Sequence, residues 1–192
     1  YDVEPGTNPG FLFQQNTMRD ALVAAVNLNI FNNHCDTVIM ANIAQMVNVL
    51  QAMVLTDGDK LLLTPTYHVF RMYREHQDAR QLETYAETLL LGSEAEPVPD
   101  LHVSASEGAD GTLLVTAVNL SDTDVCPAQV LLSGRKAGAV TAETLAGAPA
   151  AHNTFATPDN VHPLPLEVRC TDSGFAAQLP PCSVTAFRVR TE

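Results

Sequence analysis

A chain of 192 residues, 46% of them hydrophobic, carries enough apolar side chains for one large core or two small ones. Ten Lys and Arg against 22 Asp and Glu leave a formal charge of −12, a sign that repels phosphate backbones and anionic lipid and so argues against nucleic acid and membrane surfaces as partners. No apolar stretch reaches the roughly 18–20 residues of a membrane-spanning helix, and Tyr1-Asp2-Val3-Glu4-Pro5, with neither Met nor a basic leader, reads as the start of a portion of a longer protein.

In chain order, Pro5-Gly6 and Asn8-Pro9-Gly10 predict an opening loop. Thr17 and Asp20 have the spacing of a capping box, and Leu22, Val26 and Ile30, thickened by Ala25 and Phe31, predict the buried stripe of a helix ending at Asn32-Asn33-His34. Thr37 to Ala41 follows as a predicted strand, its consecutive Val38, Ile39 and Met40 suiting a strand covered on both faces. Asn42 and Gln45 fall where such a strand would emerge, the end at which a (β/α) barrel binds substrate. Position alone equally allows Gln45 to be a strand-end or loop-bracing amide. Asp57-Gly58 predicts a turn between the apolar run Val47 to Leu55 and Leu61-Leu62-Leu63. Thr64 then reads as an N-cap with Pro65 at the first helical position, the helix running through Val69, Phe70 and Tyr73 towards Gln77 with Arg71, Arg74 and Glu75 on a solvated face.

From about Gln81 the grammar changes to short strands between turns. Candidates are Leu101 to Ala105, Leu113 to Leu120, Val125 to Leu132, Ala139 to Leu145, Leu164 to Cys170, Gly174 to Leu179 and Val184 to Arg190. In the last, Thr185, Phe187 and Val189 share one face, and Ala186, Arg188 and Arg190 the other. This half predicts a β-sandwich or jelly roll. Glu94 to Pro99 reads as a linker. The division is thus 1–80, part of a (β/α)8 TIM barrel, and 81–192, the sandwich.

Cys35, Cys126, Cys170 and Cys182 lack metal-ligand spacing, so no metal or other cofactor is expected; they read as free, mostly buried thiols, although Cys170 and Cys182 could face each other on neighbouring strands. His34, His68 and His76 also lack ligand spacing, and His68 and His76 are expected to anchor a helix by hydrogen bonds. Glu4, Glu75, Glu83 and Glu87 are isolated carboxylates, each expected on a solvated face. No nucleophile elbow or phosphate cradle surrounds Ser133, Ser183 or the early glycines.

Several motifs, in order, resemble family-51 α-L-arabinofuranosidases. They are Asn8-Pro9-Gly10-Phe11, Gln15-Asn16-Thr17, Met40-Ala41-Asn42-Ile43-Ala44-Gln45, Val47-Asn48-Val49-Leu50-Gln51-Ala52 and Thr64-Pro65-Thr66-Tyr67-His68-Val69-Phe70. Asn153-Thr154-Phe155 with Pro158 and Val161, and Leu179-Pro180-Pro181-Cys182-Ser183-Val184, are similar to that family's C-terminal sandwich. The resemblance implies the (β/α)8 barrel joined to a jelly roll, and retaining hydrolysis of terminal arabinofuranosyl groups from arabinan and arabinoxylan. Retention requires two carboxyl groups about 5–5.5 Å apart. The family's nucleophile lies in an Asp-Glu-Trp motif that runs into a Trp-Tyr pair, and Tyr1 aligns with that Tyr, which places both catalytic Glu residues upstream. The 192 residues alone are therefore expected to hold no catalytic residue and to be inactive. Gln45 aligns with a residue that hydrogen-bonds the arabinose at the cleavage subsite, a role an uncharged donor–acceptor amide suits.

The resemblance further implies arabinofuranosyl oligosaccharides as partners and allows a homo-oligomer, hexamers occurring in the family; a cytoplasmic location is expected. Two alternatives stand beside it. One is a non-catalytic carbohydrate-binding or interaction sandwich, weakened by the absence of Trp and by 6% aromatic content. The other is a related barrel glycosidase acting on β-glucan.

Overall fold

The computed structural model describes residues 16–44, 46–50 and 52–192. Helix α1, Met18–Asn33, begins as its sequence dictates: the Asp20 carboxylate accepts from the Thr17 backbone N–H at 2.7 Å and from the Thr17 hydroxyl at 3.0 Å. Two further free N–H groups of the first turn, on Met18 and Arg19, donate to the Ala151 and Pro149 carbonyls at 2.8 and 2.9 Å. The helix start is thereby tied to a distant loop rather than left to water.

A hairpin follows, β1 Val54–Asp57 and β2 Lys60–Leu63, turning at Asp57-Gly58 as expected. Thr64 caps α2, Pro65–Tyr73, by accepting from the Tyr67 N–H at 3.4 Å, with Pro65 in the first turn where its missing donor costs nothing. One 3-10 turn, Arg74–His76, ends the helical part.

The remaining chain is antiparallel. In chain order the strands are β3 Arg80–Leu82, β4 Leu90–Ser93, β5 Glu96–Pro99, β6 Leu101–Glu107, β7 Leu113–Asn119, β8 Cys126–Leu131, β9 Ala137–Ala146, β10 Leu164–Pro165, β11 Val168–Thr171, β12 Gly174–Leu179 and β13 Ser183–Thr191. A six-stranded sheet has the order β10-β9-β13-β7-β6-β3, and a three-stranded sheet the order β11-β12-β8. Strand β13 lies inside the larger sheet, with Phe187 opposite Val115 on β7 and Ala142 on β9.

Alternation along β7 and β13 sends side chains to two covered faces. Leu113, Val115, Ala117, Phe187 and Val189 meet Phe175, Ala177 and Leu179 of the smaller sheet. Leu114, Val118, Val184 and Ala186 meet Met18, Ala21, Leu22, Ala25, Val69, Met72 and Tyr73 of the two helices. The architecture is thus helices, six-stranded sheet, three-stranded sheet, and every residue of β7 is buried. Such double coverage is the reason β7 carries apolar residues on both faces, Leu113 and Val115 towards one and Leu114 and Val118 towards the other.

Several expectations are corrected. Residues 38–43 form no regular structure, and Ile39 and Met40 are 92% and 73% exposed. A parallel strand needs hydrogen-bonding neighbours, and among the described residues none lies beside this segment, so the barrel part of the predicted fold is not evident. The buried side of α1 is Met18, Ala21, Leu22, Ala25 and Asn29, while Ile30 is 43% exposed. Small alanines let the helix approach the sheet, and Asn29 finds polar partners there.

Glu94 to Pro99 is part of the β4–β5 hairpin rather than a linker. The predicted strand Leu164 to Cys170 divides, with β10 pairing β9 in one sheet and β11 pairing β12 in the other. That crossing separates Cys170 from Cys182; all four cysteines are free thiols, and only Cys182 is buried. The predicted faces of β13 are as observed.

Asn153 ties the end of β2 to the connection between β9 and β10. Its amide donates to the carbonyls of Leu63 and Val161, both at 2.9 Å, and its oxygen accepts from the Val161 N–H at 2.6 Å. Replacing Asn153 with Ala strands all three backbone groups, and we expect a loss of about 2–3 kcal/mol, read as a lowered urea midpoint with unchanged slope.

Candidate substrate-contacting segment

Gln45 itself lies outside the described residues, as do Glu4 and the motifs before Asn16. What is described is the frame on either side of position 45. Upstream, Val38 donates its N–H to the His34 carbonyl at 2.8 Å, fastening the chain just after α1. Asn42 and Ala44 are exposed.

Downstream the attachment is denser. The Met46 carbonyl accepts from the N–H groups of Met53 and Val54, both at 3.1 Å, and Val47 forms a parallel bridge with Val54. Asn48 adopts φ 57°, the left-handed conformation that Asn tolerates better than most residues. Its side chain donates to the Thr56 hydroxyl at 2.8 Å and accepts from the Thr56 N–H at 2.7 Å. The Thr64 hydroxyl donates to the Ala52 carbonyl at 2.8 Å. The residues after position 45 are therefore pinned to the hairpin and to the cap of α2.

This segment also carries exposed apolar side chains: Ile39, Met40, Met46, Val47 and Val49 are between 39% and 92% exposed.

The other candidates resolve individually. Glu75 keeps 37% of its side chain exposed and also accepts from Arg188, Nε to both carboxylate oxygens at 3.0 and 2.9 Å and Nη2 at 2.9 Å. Arg188 Nη1 also reaches Glu143 at 3.0 Å, and Glu143 accepts from Arg71 Nη2 at 2.5 Å. Burial raises the Glu143 pKa, but its two guanidinium partners outweigh that and leave it lowered. This four-member chain, Arg71–Glu143–Arg188–Glu75, spans the helix–sheet boundary and engages both acids with guanidinium groups. Glu83 and Glu87 are exposed, as expected.

His76 anchors its turn as expected, through Nδ1 to the Ser106 hydroxyl at 2.7 Å and Nε2 to the Thr116 hydroxyl at 3.0 Å. His68 departs from expectation, its buried Nδ1 having no hydrogen-bond partner among the described residues. Desolvation is the first cause holding each ring well below the ordinary imidazole range, at about 4. The ion-pair chain and the partners of His76 were invisible to sequence reasoning; the spacing of α2 shows its two faces but not the strand residues opposite.

A second feature is a groove of about 850 Å³ between the sheets, lined by Leu82, Leu101 and Val103 on one wall and Ala128, Val130 and Leu132 on the other. Arg80, Glu83, Tyr85 and Arg135 also line it, so the groove mixes aliphatic, aromatic and charged groups. Among the described residues no helix is long and apolar enough to cross a membrane.

With this geometry in view, the comparisons define the class. The family model for the α-L-arabinofuranosidase C-terminal domain matches residues 1–183. The chain belongs to that family and is a C-terminal portion of a family-51 glycoside hydrolase, a β-sandwich with few helices. Its most similar relatives include the intracellular exo-α-L-arabinofuranosidase of Bacteroides ovatus, 37% identical over 99% of this chain and 38% of that protein. The crystal structure of the family-51 arabinofuranosidase from Xanthomonas axonopodis pv. citri superposes with a TM-score of 0.92 at 43% identity, covering 99% of this chain and 39% of that one. The arabinose complex of the Thermotoga maritima α-L-arabinofuranosidase follows, with a TM-score of 0.83 at 25% identity over 100% and 41%. The chain thus spans about two fifths of the length of these relatives.

Proposed function

We propose that this chain serves as the C-terminal portion of a retaining α-L-arabinofuranosidase that removes terminal non-reducing arabinofuranosyl residues from arabinan and arabinoxylan oligosaccharides. The observation that carries the reading is the superposition of nearly the whole chain, at 43% identity, on the Xanthomonas arabinofuranosidase. On this reading 1–80 is the C-terminal part of the (β/α)8 barrel, and 81–192 is the jelly-roll sandwich. The exposed Ile39 and Met40 suit that assignment, because a barrel strand covered on both faces needs neighbours that other parts of the barrel supply. The catalytic Glu pair is assigned to upstream sequence, so the 192 residues by themselves are inactive. A cytoplasmic location is proposed from the intracellular Bacteroides ovatus relative, and homo-oligomerisation remains part of the proposal.

Gln45 is assigned to the arabinose-binding subsite. An amide both donates to and accepts from sugar hydroxyls without adding charge beside two catalytic carboxyls. The pinning of Met46 to Met53 and Val54 would hold such an amide in register, and pre-positioning is what makes a hydrogen bond useful in a transition state. In the full-length enzyme, Gln45→Ala should lower kcat/KM on an arabinofuranoside by about 10- to 100-fold, the cost of one or two polar contacts made at the reacting sugar. The melting temperature should barely move. Wild-type kcat/KM in the variant would remove Gln45 from the subsite.

A further inference from the structure

Between α1, the 3-10 turn and the large sheet lies a polar cluster in an otherwise apolar layer. Asn29, Ser104, Ser106 and Thr116 are all at most 4% exposed. The Asn29 amide oxygen accepts from the Ser104 and Thr116 hydroxyls, both at 2.8 Å. Its nitrogen donates to the His102 carbonyl at 3.1 Å, and Asn32 donates to the Ser104 hydroxyl at 3.1 Å.

Each hydroxyl has one proton to give, and the two protons of Ser104 and Thr116 serve three close oxygen pairs, Ser104–Asn29, Thr116–Asn29 and Ser104–Thr116, at 2.8, 2.8 and 2.9 Å. With the Thr116 proton used inside that triangle, its oxygen, 3.0 Å from Nε2 of His76, accepts from the ring, and Nδ1 accepts from the Ser106 hydroxyl at 2.7 Å. Both ring nitrogens of the neutral imidazole are then engaged.

We propose that His76 is a proton-operated latch between the helical layer and the six-stranded sheet, releasing α1 and α2 on protonation while the sandwich remains folded. A second ring proton at Nδ1 displaces the Ser106 hydroxyl proton and leaves it to find another acceptor inside the layer. It also places a full charge among groups that offer little compensation. From α1 come Asn29 and Asn32; from β6, Ser104 and Ser106; from β7, Thr116; from α2, the Tyr73 ring at 5.6 Å. Glu75, adjacent in the chain, favours the charged ring, but its carboxylate is occupied by Arg188 from β13.

The sign follows from linkage. Burial lowers the docked ring from 6.5 to about 4, so the undocked form binds more protons between those values. Docking is intact above pH 6.5 and is lost progressively as pH falls towards 4. At pH 4.5 the gap from 6.5 to about 4 weakens docking by roughly 50- to 100-fold relative to pH 7.5. The sandwich has no equivalent group between its sheets, where the core cluster is apolar.

Hydrogen exchange on the 192-residue chain, corrected for the intrinsic effect of pH, tests this. Between pH 7.5 and 4.5 the amides of Met18–Asn33 and Pro65–Tyr73 should exchange at least about 50-fold faster, while those of β7 and β13 keep their protection. His76→Gln retains a donor and an acceptor without titrating and should remove the roughly 50- to 100-fold share that the ring at position 76 contributes. His68→Gln, which removes the low-pKa imidazole of α2, should leave that share in place. The latch is overturned if helices and sheet lose protection together, or if His68→Gln rather than His76→Gln abolishes the response. It is equally overturned if NMR titration of the wild type shows His76 protonating near pH 6.5 with the helices still protected, a readout independent of whether either variant folds.

Discussion

Gly174→Ala should destabilise this domain by at least about 3 kcal/mol, because the new methyl group has nowhere to go. Gly174 opens β12 directly opposite Leu131 on β8, and a Cβ there would stand 2.0 Å from the Val130 carbonyl oxygen and 3.2 Å from the Leu131 Cα. Both are backbone atoms, so relief requires moving strand β8 away from β12, not rotating a side chain. β8 is at the edge of the three-stranded sheet, and displacing it disturbs Phe175, which is fully buried one residue further on. Thermal unfolding is the direct measurement: at about 2–4 °C per kcal/mol for a chain of this length, the midpoint should fall by roughly 6–12 °C. An unchanged midpoint would mean that β8 and β12 are not paired in this register.

Phe187→Ala should cost about 3–5 kcal/mol, the usual range for deleting a fully buried aromatic side chain. Phe187 is 1% exposed on β13 and packs against the Phe175 ring, centroids 5.0 Å apart. It joins the strand shared by β7 and β9 to the second sheet, so truncation opens a cavity between sheets rather than a dent at the surface. Phe187→Leu keeps most of the volume and should cost less than half as much. Denaturant unfolding of the three proteins checks the order, and equal stability of wild type and Phe187→Ala would place Phe187 outside the core.

Neither substitution touches the segment around position 45. In a full-length enzyme they should therefore lower stability well before they alter turnover, the reverse of the pattern expected for Gln45→Ala. That contrast separates what the sandwich contributes, a platform for the helical layer, from what the proposed subsite contributes.

Much of this architecture was legible residue by residue. Thr17 with Asp20, Thr64 with Pro65, and Asp57-Gly58 specify a helix start, a second helix start and a hairpin turn through contacts within a few residues, and all three are present. The alternation along β13 likewise assigned Phe187 and Val189 to one face and Ala186 and Arg188 to the other. The family motifs identified the class, and Gln45 as the residue to examine. Local chemistry suffices for such features because the partners are covalently near.

Tertiary structure decided whatever depended on a distant partner. Val38-Ile39-Met40 has the composition of a buried strand yet is exposed in part, since a strand is made by neighbours and not by its own side chains. The face that α1 buries was set by the sheet it meets, where Ser104 and Thr116 made Asn29 a better interior residue than Ile30. Glu75 and Arg71 look like surface charges until Glu143 and Arg188, some seventy or more positions later, arrive beside them. The chain itself determined its caps, turns, strand faces and family; only folding determined which sheet each strand joined and which polar side chains were drawn inside, because hydrogen bonds and packing between distant residues leave no local pattern to read.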